Sequence, residues 1–566
     1  MPRWHFPEDR SNRGGHILKY LLGIWLCLSL LRPEAQAQPQ TNTRTEQVGL
    51  NRSSTSGTLS VSLQEAVTLA LENNPVLKVE KVRVQQARSK IGQQEGDFAP
   101  LFNSGTKVNR GDIIVASRFY PTGFYNESQK SQSLGIEGKS HVGTKFTFGL
   151  SYADMLSTSN TQTLSPQYSA LASIGFTQSL LRDFGRGVTE TKIRVAEKGA
   201  AIAEGNLFTK IAQMIERVEE AYWNFTFLLK ELEGRQRSLD NAREFLTQNE
   251  NLLVAGKVAQ VAVLQARAAV AERERDLVLA QTAADQYEDR LKNLLWLDLN
   301  TTHLIPTEAP EQNPVNMDLQ KSMEAALQRR PEIKALQSEV EQRDIELKYA
   351  GNQKKPRLDL NVNYSHSGLA GKPSTTCIDP TAALCIPVGS NVSGSIFDSR
   401  TAGRDALANI FSLNPYENWS VELKLQIPLS NQAAKEQYSE ASLKRLESGT
   451  NLVSMRDQIT IEIRDAIREA QSAQKRVDSS REANNYVEDQ VEGMRRQLDA
   501  GLVSSYDVLK AFDEVDKART IELQAMMDFN VALSKLRLAE ASGFQKYGIE
   551  LSDAPQYSFD QVKPVK

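Results

Sequence analysis

Histidine and cysteine are scarce, five of one and three of the other in 566 residues. Two of the histidines fall in the first twenty residues. His141, His303 and His366 are scattered, without a partner at metal-ligand or triad spacing. No glycine-rich phosphate loop follows a strand pattern, and no nucleophile elbow joins a strand to a helix. The chain therefore reads as a non-enzyme with no cofactor. A basic excess is missing too: 67 Lys and Arg stand against 70 Asp and Glu, a net charge of −3. That balance argues against nucleic acid as a partner. Beyond the N-terminus no apolar run approaches the roughly 20 residues of a spanning helix. If the mature chain meets a membrane, it must do so with strands.

The N-terminus has the pattern of a secretory leader over residues 1–37. Arg3, Arg10 and Arg13 flank an apolar stretch at 17–31, Arg32-Pro33 stops it, and Ala35-Gln36-Ala37 offers a cleavage site. At about 15 residues the stretch is too short for a membrane anchor. No small pair precedes Cys27 for lipid attachment. A polar lead-in follows at 38–58.

What the chain does have is a long internal repeat. Residues 62–102 return at 318–358 without a gap: Leu63 aligns with Leu319, Pro75 with Pro331 and Pro100 with Pro356. A block this long exceeds the period of about 20–50 residues that marks a solenoid, so it reads as a duplicated half-protein. Each copy holds a short helix, a proline break, a second helix, and a proline that opens a strand. Ser62 and Glu65 form a capping box at the first start.

After Pro100 the period becomes two. Phe146, Phe148, Leu150 and Tyr152 alternate with polar residues, and Ile174, Phe176 and Leu180 suggest a further strand. Weaker candidates lie at 101–115 and 133–138. In the second half Leu358, Leu360, Val362 and Tyr364 share a face, as do Trp419, Val421, Leu423, Leu425 and Ile427. These two runs are each about ten residues, the length of a tilted membrane strand. The rest is helix. Ile211, Ile215, Val218, Tyr222, Phe225, Leu229 and Leu232 alternate steps of four and three, a coiled-coil seam. The return helix carries Leu277, Ala280, Ala284, Tyr287, Leu291 and Leu294. In the second half Ile459, Ile463, Ile467 and Ala470 face Met526, Phe529, Leu533 and Leu536. The expected organisation is a first repeat at 59–300 (strands about 101–180, hairpin 183–297), a proline-bearing linker at 301–316, a second repeat at 317–543 (strands about 357–428, hairpin 431–541) and a loosely held polar tail at 544–566.

Length adds a constraint. At about 1.5 Å per residue, the run 183–255 spans about 110 Å and its return about 60 Å. The helix 76–99 adds about 36 Å, so two short helices stack alongside one long one. The firm strands are too few for a membrane barrel, whose smallest form has about eight. An open sheet in lipid would strand its edge amides at several kcal/mol each. The chain must therefore share a barrel with copies of itself.

The block LQEAVTLALENNPVLK, its copy LQKSMEAALQRRPEIK, the passage FTQSLLRDFGRG and the hairpin AGLVSSYDVL resemble the TolC-like outer-membrane efflux proteins over about residues 59–543. The resemblance implies a mainly α fold with a membrane β-barrel portion: a homotrimer sharing one β-barrel in the outer membrane of a Gram-negative bacterium and one α-helical tunnel in the periplasm. It implies a passive conduit for tripartite efflux or type I secretion. The partners would be a periplasmic adaptor, an inner-membrane pump of the RND, ABC or MFS type, and outer-membrane lipid. Gly256, Lys257 and Val258, with Gly501, Leu502 and Val503, stand at the tips that meet the adaptor. The glycines are also what any helix reversal wants. Asp507 and Lys510 stand where family members ring the tunnel mouth with two acids, and they can equally pair on the helix surface. Leu498 and Val503 replace expected polar or aromatic gate groups, and Ala262 an expected acid. The extra strand pair near 133–152 is either a hairpin outside the wall or part of it.

Cys377 and Cys385 share one loop that faces outside under this topology, where a disulfide is the expected state. A metal site would need more ligands than His366, the one histidine nearby. The alternative to a channel is a periplasmic or secreted coiled-coil scaffold without a pore.

Overall fold

A computed structural model describes residues 57–116, 123–159, 162, 164–300, 302–311, 317–373, 375–379, 384–387, 402–410, 416–500 and 502–549. All lie in the second of two units, which divide the chain after Ser54. The leader, most of the lead-in, residues 312–316, Gly501 and the tail from 550 lie outside the described residues.

Strand β1 (Gly57–Val61) precedes α1 (Leu63–Asn73) and α2 (Pro75–Glu95). The capping box at Ser62 is made in full: Glu65 N–H donates to Ser62 Oγ, and the Glu65 carboxylate accepts from the Ser62 backbone. Pro75 sits in the first turn of α2, where its missing N–H costs nothing. A short 3₁₀ turn (Gly96–Phe98) and Pro100 then release the chain into four strands: β2 (Leu101–Ile114), β3 (Phe124–Lys139), β4 (Lys145–Ser157) and β5 (Leu164–Ser179). The one-turn α3 (Arg186–Thr189) leads to α4 (Thr191–Val254), whose return is α5 (Gln260–Leu295). The second half repeats the plan after β6 (Thr302–Pro306): α6 (Leu319–Arg329), α7 (Pro331–Gln353), β7 (Arg357–Pro373), the small strands β8 (Thr375–Asp379) and β9 (Leu384–Pro387), α8 (Ala402–Ile410), β10 (Glu417–Gln426), α9 (Gln432–Asp499), α10 (Ser505–Glu540) and α11 (Gly543–Lys546).

The fold is mainly helical with one large sheet, as the duplication and the change of period imply. Helix α4 packs against α2 and α5, and α9 against α7 and α10. This is the expected long rod beside two stacked short ones. Seam residues bury where expected. Ile215, Val218, Tyr222 and Phe225 of α4 meet Leu291 and Leu295 of α5. Ile459, Ile463, Ile467 and Ala470 of α9 meet Phe529, Leu533 and Leu536 of α10.

Three boundaries differ from the sequence reading. The linker at 301–316 carries β6, which pairs in parallel with β1, so the lead-in already holds a strand at Gly57. Tyr222 ties that pair to α4 by donating to the Val61 carbonyl at 3.1 Å. The tail begins firmly docked: Phe544 is buried against Ala212 and Ala541. And β7 is 17 residues, longer than the ten-residue alternating run. It continues under α8, whose Ala406 and Ile410 bury against Ala170 and Ala370. Gly368 permits the contact, since a Cβ there would collide with the Ala406 carbonyl.

Candidate functional site

Six strands form one hydrogen-bonded sheet in the order β10-β7-β5-β4-β3-β2. The extra hairpin of the first half is thus part of this sheet. Every junction in it is antiparallel. Register aligns large apolar side chains into a row across all six strands: Phe102, Ile136, Phe148, Ile174, Tyr364 and Trp419. Alternation puts these on one face. The face is exposed, with Phe102 at 67% and Trp419 at 74%. Exposed contiguous apolar surface on this scale marks a membrane or partner contact. Among the described residues no helix is long and apolar enough to cross a membrane.

The helices converge on two tips. At the first, α4 ends in a Schellman motif: Lys257 N–H donates to the Leu252 carbonyl and Gly256 N–H to the Leu253 carbonyl, each at 2.9 Å. The motif needs a left-handed residue, and Gly256 supplies it at φ +69°. Lys257 is exposed and Val258 half-buried. At the second tip Leu502 N–H donates to the Gln497 carbonyl at 2.9 Å, the same closing bond. Leu502 is 76% exposed and Val254, at the first tip, 90%. Val503 is half-buried.

Asp507 caps α10. Its carboxylate accepts from Ser504 Oγ at 2.6 Å and from the Ser504 backbone at 3.0 Å. Those bonds hold the carboxyl below its usual range, with Lys510 assisting. The Lys510 ammonium lies over the Tyr506 ring, 4.9 Å from its centre. Asp507 is therefore committed to its own helix start as well as standing near the tip.

Sequence reasoning missed the charged contact between the hairpins. Arg273 on α5 donates to Asp513 on α10, and Arg273 is largely buried. Around it α4, α5, α9 and α10 enclose a cavity of about 270 Å³, lined by Phe245, Arg495, Phe512 and Asp516 among others. Arg495 stacks over Phe512 at 4.6 Å. A signal was available: Ala266, Arg273 and Ala280 fall one heptad apart, so a cation occupies a seam position. The side chain of Leu498 is outside the described residues, and Ala262 sits in the first turn of α5 as the sequence has it.

In the small hairpin β8 and β9 pair antiparallel, and the register sets Cys377 opposite Cys385.

The sequence model of a family described as outer membrane efflux protein matches residues 66–295 and 323–542. Solved structures with the same fold include the outer-membrane channel OprN (16% identity, TM-score 0.59, covering 85% of this chain and 90% of that one). The Campylobacter jejuni CmeC outer membrane channel is similar at 16% identity and TM-score 0.57, covering 85% and 86%. The open state of the Neisseria gonorrhoeae MtrE outer membrane channel is similar at 15% identity and TM-score 0.55, covering 85% and 89%. No curated protein matches the chain at a significant level.

Proposed function

The chain belongs to the outer membrane efflux protein family, and from that premise we propose that three copies form a conduit from the periplasm to the outside. The copies share a β-barrel in the outer membrane and continue inward as a helical tunnel. The observation that carries this is the two-faced sheet. Its apolar row crosses every strand, yet among the described residues there is no second sheet of comparable size to cover it. Lipid is the partner such a face fits, and an open edge in lipid is intolerable. Closure by identical copies satisfies both. The conduit is passive. Direction and energy come from an inner-membrane pump, of the RND, ABC or MFS class, reached through a periplasmic adaptor. The related structures are named as outer-membrane channels, which supports the same role here.

The tips are the adaptor contacts. Val254 and Leu502 beside the two reversals present exposed apolar groups. Arg273 and Asp513 tie the two hairpins near the same end and act as a closing latch. Purified protein should run as a trimer in detergent and conduct ions across a planar bilayer. A monomer recovered from the soluble fraction, with no conductance, would sink the channel and favour a coiled-coil scaffold.

A further inference from the structure

The barrel wall can be counted from the sheet. The two extra strands at the β2 end of the ladder could peel away from the wall, leaving β4 as its edge, or belong to it, and three observations bear on the choice. First, all six strands are one ladder, with β2 and β10 at its edges. Second, the apolar row described above is as apolar on β2 and β3 as elsewhere. The neighbouring row on the opposite face reads Asn103, Gly135, Gly149, Ser173, Ser365 and Asn418. It is glycine, serine or asparagine on every strand, with no large apolar side chain, as suits a water-filled lumen. A hairpin outside the wall would have no reason to repeat both rows in register. Third, the β3–β4 turn is anchored at the end of the sheet where the long helices begin. His141 stacks on Phe98 at 4.7 Å, and its Nδ1 lies 2.8 Å from Glu190 beside α4. The hairpin therefore runs the full height of the sheet.

We propose that all six strands of each chain lie in the membrane wall, and that β10 of one copy pairs with β2 of the next. This rests on the trimeric channel proposed above. Strand direction permits it: β2 runs away from the helices and β10 returns to them, so head-to-tail pairing is antiparallel at each seam. Both edge strands are exposed along their whole length. Three copies at six strands apiece give eighteen. With strands about 4.8 Å apart and tilted about 40°, that ring is about 36 Å across between backbone centres, against about 24 Å if each copy gave only four. Barrels of this strand number leave an open aqueous lumen. The partner surface is thus the β2 edge of a second copy.

Cysteine cross-linking in the native outer membrane tests this. The parent carries Cys377→Ser and Cys385→Ser. Asn103→Cys on β2 is combined with Asn418→Cys on β10, and Lys107→Cys with Ser420→Cys covers a shift in register between copies. All four side chains are on the lumen face. A short thiol cross-linker should convert most of the protein to covalent dimers and trimers on a denaturing gel. The competing pair is Gly149→Cys on β4 with Asn418→Cys. A ladder from that pair, with only monomers from the β2 pairs, would overturn the six-strand wall while leaving the trimeric channel intact. No ladder from any pair, in a protein that still migrates as a conducting trimer, would overturn it as well. A protein that, with Cys377 and Cys385 intact, is neither trimeric nor conducting would count against the channel reading itself.

Discussion

Glu219 is a buried residue at which the two halves meet. It sits on α4 with a side chain 1% exposed. Arg537 of α10 donates to it at 3.0 Å and Lys546 of α11 at 3.3 Å, with the Tyr547 hydroxyl as a third donor. Burial pushes the carboxyl up, but Arg537 and Lys546 more than offset this, so it stays below the ordinary range. The same burial, with the Glu219 charge, drives the Tyr547 phenol strongly up. A carboxyl with a depressed folded pKa stabilises above its unfolded value of about 4.5 and loses that contribution as pH falls through the folded value. Glu219→Gln should therefore destabilise the protein at pH 7 by roughly 3–5 kcal/mol, because two cations lose their buried partner. It should also flatten the acid limb of a stability-against-pH curve. Thermal dissociation of the trimer, followed on gels between pH 3 and 8, measures both. A variant that melts like the parent at every pH would show the cluster to be neutral.

Elements carry the working parts. The tips are helix reversals, and Gly256 holds a left-handed conformation at φ +69°. Gly256→Val should cost about 1–2 kcal/mol locally and distort the tip, lowering recovery of the adaptor in pull-downs while trimer yield stays the same. Leu502→Asp should weaken adaptor recovery without touching the fold, since Leu502 is exposed. Equal recovery with both variants would remove the tips from the interface. The latch between α5 and α10 predicts that Asp513→Asn raises bilayer conductance severalfold at low voltage, with the trimer still formed; unchanged conductance would leave Arg273 as a packing residue. For the small hairpin, Cys377 and Cys385 face one another in the β8–β9 register. A disulfide closing so short a loop should be found as a loss of two mass units in the exported protein, stabilising the hairpin by about 2–3 kcal/mol.

At the scale of the whole molecule the architecture follows from lipid. Water-exposed coiled coils tolerate polar surfaces everywhere except the seam, and this chain keeps its long helices charged outside the seam. A sheet that faces lipid needs the reverse, and the exposed row from Phe102 to Trp419 provides it. The boundary between the two regimes falls at Pro100 and Pro356, each one residue before a strand opens.

The repeated block, the prolines, the seams and both reversals were readable because each is local: capping, proline geometry and period three-and-a-half act within a turn or two. The strands β7 and β10 were readable for the same reason, their alternation being uninterrupted. Strands β2 and β3 were only faintly visible, since Gly105, Gly111 and Gly135 and the polar stretches of a lumen face blur the period. Their place in the sheet depended on register with β4, which no single strand encodes. The parallel pairing of β1 with β6, the buried Glu219 cluster and the Arg273–Asp513 contact join residues more than two hundred positions apart. The sequence by itself determined which segments are helix or strand and that the chain is duplicated, because those properties reside in neighbouring residues. Only the tertiary structure decided how many strands stand side by side and which charges meet, because both depend on packing between distant segments.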